Sequence, residues 1–341
     1  MQTRYSRQIL FAPIGKTGQE KLLASRVAIV GMGALGTVLA NHMVRAGVGF
    51  VRLIDRDFVE PSNLQRQMLY DEDDAQAHMP KAMAAYQKLC KINSGVTIEP
   101  IIADLTAFNA EEYLSDVHLV LDATDNFSVR YLINDVCVKH TIPWIYGGAV
   151  SSTGTFTAIR PGETPCLRCL FPESPAPGET ATCDTAGVIG PIIHIVASYQ
   201  ATEAFKILIE ATDAYNPNLE HFDLWQNQHQ QIRVQRAKRP DCPTCGKREF
   251  THLSPDSAEG MAVSMCGRNT VQITPAADSR LSLDALAQRL APLGVVEQNK
   301  FLLRFHTDAH TLVIFPDGRV MVQGTDEISV ARSLYARYIG G

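Results

Sequence analysis

The stretch Arg26–Gln67, RVAIVGMGALGTVLANHMVRAGVGFVRLIDRDFVEPSNLQRQ, restricts the fold more than any other part of this chain. Val27 to Val30 is a short apolar run of the kind a buried parallel strand makes. Gly31, Gly33 and Gly36 follow as G-x-G-x-x-G, and Thr37 to Ala46 has helical periodicity. A second apolar run, Phe50 to Ile54, closes on Asp55, nineteen residues past Gly36. Strand, glycine turn, helix, strand and acid in that order open a doubly wound sheet built to hold a nucleotide. The glycines let the backbone turn tightly beside phosphates. The helix N-terminus offers N–H groups to anionic oxygens, and Asp55 can accept from ribose hydroxyls. A glycine turn without a ligand is the competing reading, and it leaves strand, helix and acid unexplained.

The fingerprint does not choose between a dinucleotide and ATP. The residues after it bear on that choice: Asp55-Arg56-Asp57 leads into Asn63-Leu64-Gln65-Arg66-Gln67, and Lys81 follows Pro80 at the start of a helical pattern. An amide, a guanidinium and an ammonium gathered beyond an adenosine-binding acid suit a triphosphate whose pyrophosphate must leave. Further on, Val117 to Leu121 reads as another buried strand, closing at Asp122-Ala123-Thr124-Asp125-Asn126. An acid at the carboxyl end of a parallel strand faces the ligand crevice. Asp125 is therefore a candidate magnesium ligand, with the N-cap of the next helix, Phe127 to His140, as its alternative role.

The 341 residues carry a net charge of −5, which gives no electrostatic reason to expect nucleic acid or an anionic membrane as a partner. Pro191, His194, Gln200, Glu203 and Lys206 interrupt the most apolar stretch, 186–209, so no membrane span is expected. The N-terminus has no signal-peptide pattern, and a cytoplasmic location is the expectation. Eight cysteines in such a chain point to metal or chemistry before disulfides. Cys166-x-x-Cys169 and Cys242-x-x-Cys245, each in a proline-containing loop, match a tetrahedral zinc site of four thiolates. Either pair alone could be a redox motif; two together favour zinc.

Residues 4–25 read as an extended start with Arg4 and Arg7, a Pro-Gly loop and a helix. Arg7 is either solvated or offered to a site, such as one in a partner subunit. Ala82 to Ile92 is helical, Val96 to Ala103 a strand and Glu111 to Leu114 a short helix. Pro143 to Tyr146 is a strand turning at Gly147-Gly148, and Gly154 to Ile159 alternates like an antiparallel strand. Prolines break Arg160 to Asp184, a long loop that ends in ATCDTAG. Cys183, ahead of a helix over 189–210, is either a reactive thiol or an inert one. Leu219 to Ile232 suggests paired strands, and 248–268 reads as a linker. Residues 269–341 form a compact α+β module with strands at Thr270–Ile273, Phe301–Phe305, Thr311–Phe315 and Val320–Gln323. Its helices are expected at Leu283–Leu290 and Ile328–Tyr338, and Asp317-Gly318 signals a hairpin. The sequence ends in Gly340-Gly341, just past the second of these expected helices.

These motifs together resemble the ThiF/MoeB family of adenylyltransferases, within the ubiquitin-activating enzyme superfamily. The likeness spans about residues 4–247, and the appended module makes it greatest to the ThiF type of Gram-positive bacteria. RYSRQ at 4–8, GMGALG at 31–36, IDRD at 54–57, SNLQRQ at 62–67, PK at 80–81, DATDN at 122–126, both knuckles and ATCDTAG at 181–187 carry it. The resemblance implies an α/β fold, Rossmann-like and doubly wound around a mostly parallel sheet, with a four-cysteine zinc site. The nucleotide half is expected over about 1–150 and the carrier-binding and zinc half over 151–247.

The implied reaction is transfer of AMP from ATP to the C-terminal Gly-Gly carboxylate of a ubiquitin-like sulfur-carrier protein of the ThiS or MoaD type. It would serve thiamin thiazole or molybdopterin biosynthesis. By resemblance, Gly31, Gly33 and Gly36 form the nucleotide loop and Asp55 binds the ribose. Asn63, Arg66 and Lys81 hold the phosphates, Asp125 orders Mg2+, and Arg7 reaches the other subunit of a homodimer. Cys166, Cys169, Cys242 and Cys245 bind Zn2+, and Cys183 is a candidate for covalent sulfur chemistry. No rhodanese-like segment is expected, so a separate sulfur donor such as a cysteine desulfurase is implied. An NAD-dependent Rossmann oxidoreductase and an inactive carrier-binding scaffold are the alternatives.

Overall fold

The computed structural model describes residues 3–173, 183–254, 262–265, 269–275 and 281–340. They divide between two compact units, Met1–Pro175 with Ala186–Ser254 and Ala176–Thr185 with Pro255–Gly341. In chain order the helices are α1 (Ser6–Leu10), α2 (Gly15–Ala24), α3 (Ala34–Ala46), α4 (Glu72–Gln76), α5 (Lys81–Ile92), α6 (Ala110–Leu114), α7 (Phe127–His140), α8 (Leu167–Leu170), α9 (Cys183–Ala186), α10 (Gly190–Leu208), α11 (Leu283–Leu290) and α12 (Ile328–Tyr338). The strands of the first unit are β1 (Arg26–Val30), β2 (Phe50–Asp55), β3 (Thr97–Ile102), β4 (Leu119–Asp122), β5 (Trp144–Val150), β6 (Thr153–Ile159), β7 (Asn218–Asp223) and β8 (Gln228–Arg233).

These eight strands form one sheet in the order β3-β2-β1-β4-β5-β6-β7-β8. The five from β3 to β5 run parallel, and the last three are antiparallel. Apolar residues on both faces of each parallel strand require cover on both sides. Val27, Ile29, Leu53 and Leu121 pack with α3, α5 and α10, whereas Ala28, Val30, Ile54 and Val120 pack with α6 and α7. The expected doubly wound, mostly parallel sheet is what forms. Among the described residues, no helix is long and apolar enough to cross a membrane.

Three local expectations change. The start of the chain is helical, not extended: Tyr5 is buried and accepts from Asn93 Nδ2 at 2.9 Å, while Gln8 Nε2 donates to Gln19 Oε1 at 2.7 Å. Tertiary anchoring thus overrides a segment with little core of its own. Gly147-Gly148 is not a turn; β5 runs straight through it, paired with β6 from Trp144–Ile159 to Val150–Thr153. Gly147 is needed there because a Cβ would lie 2.3 Å from Gln200 Nε2. The four residues of α8 interrupt the loop expected over 160–184.

In the second unit β9 (Ala262–Met265), β10 (Thr270–Ile273), β11 (Val295–Gln298), β12 (Leu303–His306), β13 (Thr311–Ile314) and β14 (Val320–Gln323) form an antiparallel sheet in the order β11-β12-β13-β14-β10-β9. Leu286, Leu290 and Ala331 from α11 and α12 pack on Val271, Phe305 and Val322. Strand β11 escaped the sequence reading because it is an edge strand with largely exposed side chains. Within 248–268, read as a linker, Thr251–Leu253 forms a 3-10 turn packed on α7, and Ala262–Met265 pairs with β10. The chain leaves α12 at Tyr338, and Gly341 lies outside the described residues.

Candidate active site

The order of the parallel strands reverses between β1 and β4, and a ligand crevice opens beyond the carboxyl ends of strands at such a point. The glycine turn lies there. Gly31 has φ +91°, and a Cβ on it would meet the Ala123 carbonyl oxygen at 2.7 Å. A Cβ on Gly36 would lie 1.9 Å from the Gly31 carbonyl oxygen, so α3 can start this close to β1 only with glycine. Gly33 differs. It caps α3, and the nearest atom to its Cβ position is Gln67 Nε2 at 3.8 Å. Its open side leaves room for a phosphate at the helix N-terminus.

Asp55 at the end of β2 accepts from Met32 N at 2.6 Å and from Asp57 N at 2.7 Å. It is tied to the glycine turn through its own carboxylate. Burial raises its pKa, against the pull of the Lys81 ammonium. Lys81 is the first residue of α5 and is 4% exposed. Its backbone N donates to Asp57 O at 2.9 Å, and its ammonium pairs with Asp57 Oδ2 at 3.3 Å. Asn63 is buried, and its Oδ1 accepts from Glu60 N at 3.1 Å. Half-buried Arg66 donates from Nη1 to Ser62 O at 3.0 Å. The turn that carries Asn63 and Arg66 also brings Gln67 beside Gly33.

Asp125 follows β4 and is exposed. It is not the cap of α7; Asn126 is, accepting from Ser128 N at 2.8 Å. Burial opposes the charge of Arg56, yet Asp104, Asp57 and Asp125 together hold its pKa above the ordinary guanidinium value. Acids from three strand ends therefore converge on one cation. Arg7 behaves differently. Tyr5, two residues earlier, packs on Gly47, past the C-terminal end of α3. A 13-residue helix spans about 20 Å, so Arg7 is remote from the glycine turn of its own chain. Cys183 opens α9, but its side chain lies outside the described residues, as does most of the loop before it.

The sequence reading missed Arg130. It sits buried on α7 and pairs through Nε with Asp122 Oδ2 at 3.0 Å. Its Nη2 donates to Thr124 O at 2.6 Å and Gly147 O at 3.0 Å, joining the segment that follows β4 to the middle of β5. The signal was an arginine within a helix that is otherwise buried. Four residues on, Asn134 Oδ1 accepts from Leu167 N at 2.9 Å. Asp135 accepts from Thr244 Oγ1 at 2.9 Å and from His252 N at 3.0 Å. One helix thus holds both cysteine knuckles.

The knuckles meet. Sulfur separations are 3.9 Å for Cys166–Cys169, 3.6 Å for Cys166–Cys242 and 3.4 Å for Cys169–Cys245, and all four sulfurs lie within 4.8 Å of one another. Four thiolates about 2.3 Å from a tetrahedral zinc stand about 3.8 Å apart, so the cluster fits that ion. The hydrogen bond from Cys166 holds the Cys169 thiol down at about 4 and pushes Cys166 well above the usual thiol range.

Known proteins resemble this chain in sequence and fold. The chain is 47% identical over 342 residues to the sulfur carrier protein ThiS adenylyltransferase of Bacillus subtilis, covering 100% of both. It is 38% identical over 263 residues to the SAMP-activating enzyme E1 of Haloferax volcanii, covering 77% of this chain and 96% of that one. The crystal structure of E. coli MccB with ATP superposes with a TM-score of 0.63 at 22% identity, over 72% of this chain and 75% of that one, a likeness of fold. The ThiF family profile matches residues 5–244, and on that match and the full-length relative this chain belongs to the ThiF family.

Proposed function

We propose that this chain transfers AMP from ATP to the C-terminal carboxylate of a ubiquitin-like sulfur carrier of the ThiS type, releasing pyrophosphate, for thiamin thiazole synthesis. The observation that carries this reading is the 47% identity to a ThiS adenylyltransferase along the whole chain, C-terminal module included. That relative favours the thiamin pathway over the molybdopterin one, which the motifs left open.

The residues suit the chemistry. A carboxylate is already a nucleophile, so the reaction needs placement and charge neutralisation more than a general base. ATP phosphates would lie on the α3 N-terminus at the open side of Gly33, with Asp55 accepting from the ribose. Asn63, Arg66 and Lys81 would meet the polyphosphate. Lys81 now pairs with Asp57, so ATP would draw the ammonium from a carboxylate to a leaving phosphate. The carboxylates at the strand ends are hard oxygen donors of the kind Mg2+ prefers, and Asp125, exposed at the crevice, would hold it. Bound Mg2+ would neutralise charge on the departing pyrophosphate. The four cysteines would hold Zn2+ as a closed structural site.

Arg7, remote from its own glycine turn, would serve the crevice of a second copy in a homodimer. The exposed apolar side chains of Leu10 and Phe11 beside it fit an interface there. Cys183 would take part in covalent sulfur transfer after adenylylation, with sulfur delivered by a separate donor such as a cysteine desulfurase. Carrier-dependent exchange of labelled pyrophosphate into ATP tests the reading. Wild type is expected to exchange, and Arg66→Ala and Asp125→Ala are expected to lose exchange by about 100-fold or more while remaining folded. Wild-type rates in either variant would remove that residue from the mechanism. Absence of exchange in the wild type with a ThiS-type carrier would remove the function.

A further inference from the structure

Tyr70, outside every motif used above, is buried between the glycine turn and the start of α5. Its hydroxyl donates to Met32 O at 2.6 Å and lies 3.1 Å from Lys81 O. Met32 is the residue between Gly31 and Gly33, and its N–H is the one held by Asp55. Both ends of this residue's polar backbone are therefore tied, one to the ribose-side acid and the other to the tyrosine. Lys81 is held by Asp57 O at its own N, and its carbonyl oxygen shares the single tyrosine proton with Met32 O as the longer branch of a bifurcated bond. A single hydroxyl thus spans the two elements that must grip one triphosphate from different sides.

We propose that Tyr70 is a positioning residue for ATP, its hydroxyl fixing the spacing between the Met32 turn and Lys81. Burial, followed by the carboxylates of Asp55, Asp74 and Asp57, raises the pKa of the phenol well above its ordinary value. The hydroxyl therefore keeps its proton and remains a donor at any working pH. A phenyl ring in its place would leave packing intact but two buried carbonyls without that donor. The turn and the lysine could then drift apart by tenths of an ångström, enough to spoil simultaneous contact with one ligand.

The proposal rests on the reading that ATP fills this crevice, and the test separates the two. Binding of ATP with Mg2+ is measured by calorimetry for the full chain as wild type, Tyr70→Phe, Lys81→Ala and the double variant. Wild type that binds no ATP would refute the reading of the site itself. Given wild-type binding, Tyr70→Phe is expected to weaken ATP about tenfold. In the Lys81→Ala background the same change is expected to cost less than about twofold, because the group it positions is gone. An equal factor in both backgrounds, or none in the wild type, overturns the proposal. In the exchange assay the Phe variant is expected to raise KM for ATP and leave KM for the carrier unchanged; a general loss of structure would move both. Incorporation of 4-aminophenylalanine at position 70 returns an N–H donor to the place of the hydroxyl and carries the comparison if the Phe variant does not melt as a folded protein. It is expected to bind ATP within about threefold of wild type, and binding weaker by about tenfold or more counts against the donated hydrogen bond.

Discussion

Replacing Arg130 by alanine should unsettle the floor of the crevice by a predictable amount. The guanidinium is 5% exposed, and Asp122, its partner at 3.0 Å, is not exposed at all. Alanine would leave a carboxylate buried with Thr124 N and Oγ1 as its described donors, at 2.9 and 2.7 Å. It would also deprive Thr124 O and Gly147 O of a donor. Removing one partner of a buried ion pair costs about 3–5 kcal/mol. Against a total stability of about 5–15 kcal/mol this is a large loss. Urea unfolding followed through Trp144, which is fully buried on β5 of the same unit, reads it directly.

The pH dependence identifies the cause. Burial already raises the Asp122 pKa despite Arg130, and removing the arginine raises it further. A carboxyl whose folded pKa exceeds its unfolded value costs stability as pH rises through the folded pKa, and none below the unfolded one. The variant should therefore be most damaged near pH 8 and approach wild type toward pH 4–5, with the carboxyl neutral. Adding Asp122→Asn should recover about half of the loss at pH 8, because it removes the stranded charge while keeping an oxygen for Thr124. A cost below about 1 kcal/mol, or one that does not change with pH, would refute this account.

Three further expectations follow from the same geometry. Gly36→Ala should prevent folding of the first unit, given its 1.9 Å approach to Gly31 O, whereas Gly33→Ala should melt within a few degrees of wild type and lose ATP binding by calorimetry. If the four cysteines hold zinc as proposed, Cys242→Ser should abolish stoichiometric zinc measured by elemental analysis and unfold the first unit, since structural zinc carries about 10 kcal/mol of folding energy, as much as a domain's whole stability. Burial, then His194 and Arg45, lowers the His42 pKa, so the folded state favours the neutral ring. The stability this gives above pH of about 6.5 is lost as pH falls toward the folded pKa, and His42→Asn should flatten the fall in Tm between about pH 7 and 5.5.

Much of the site could be read in advance because its parts are local. A glycine turn, the acid after the next strand, a lysine opening a helix and a pair of C-x-x-C knuckles each announce themselves within a few residues. Their chemistry depends on backbone conformation or ligand type, which short segments dictate. What escaped was non-local. Arg130, Asn134 and Asp135 look like ordinary helix residues until α7 is laid between β4 and the knuckles. Edge strand β11 has too little buried surface to leave an alternating pattern.

The amino-acid sequence by itself determined the five parallel strands, the family, the glycine turn after the first of them and the identity of the four metal-fitting cysteines, because periodicity, glycine chemistry and thiolate spacing are properties of short stretches. Tertiary structure alone decided which groups meet. It joined Asp55 to the Met32 amide, Lys81 to Asp57 and Tyr70 to both sides of the crevice, and it kept Arg7 away from its own glycine turn. The physical reason is that a hydrogen bond acts within about 3 Å in space. Which residues come that close depends on the packing of helices against a twisted sheet, and no local stretch of chain contains that information.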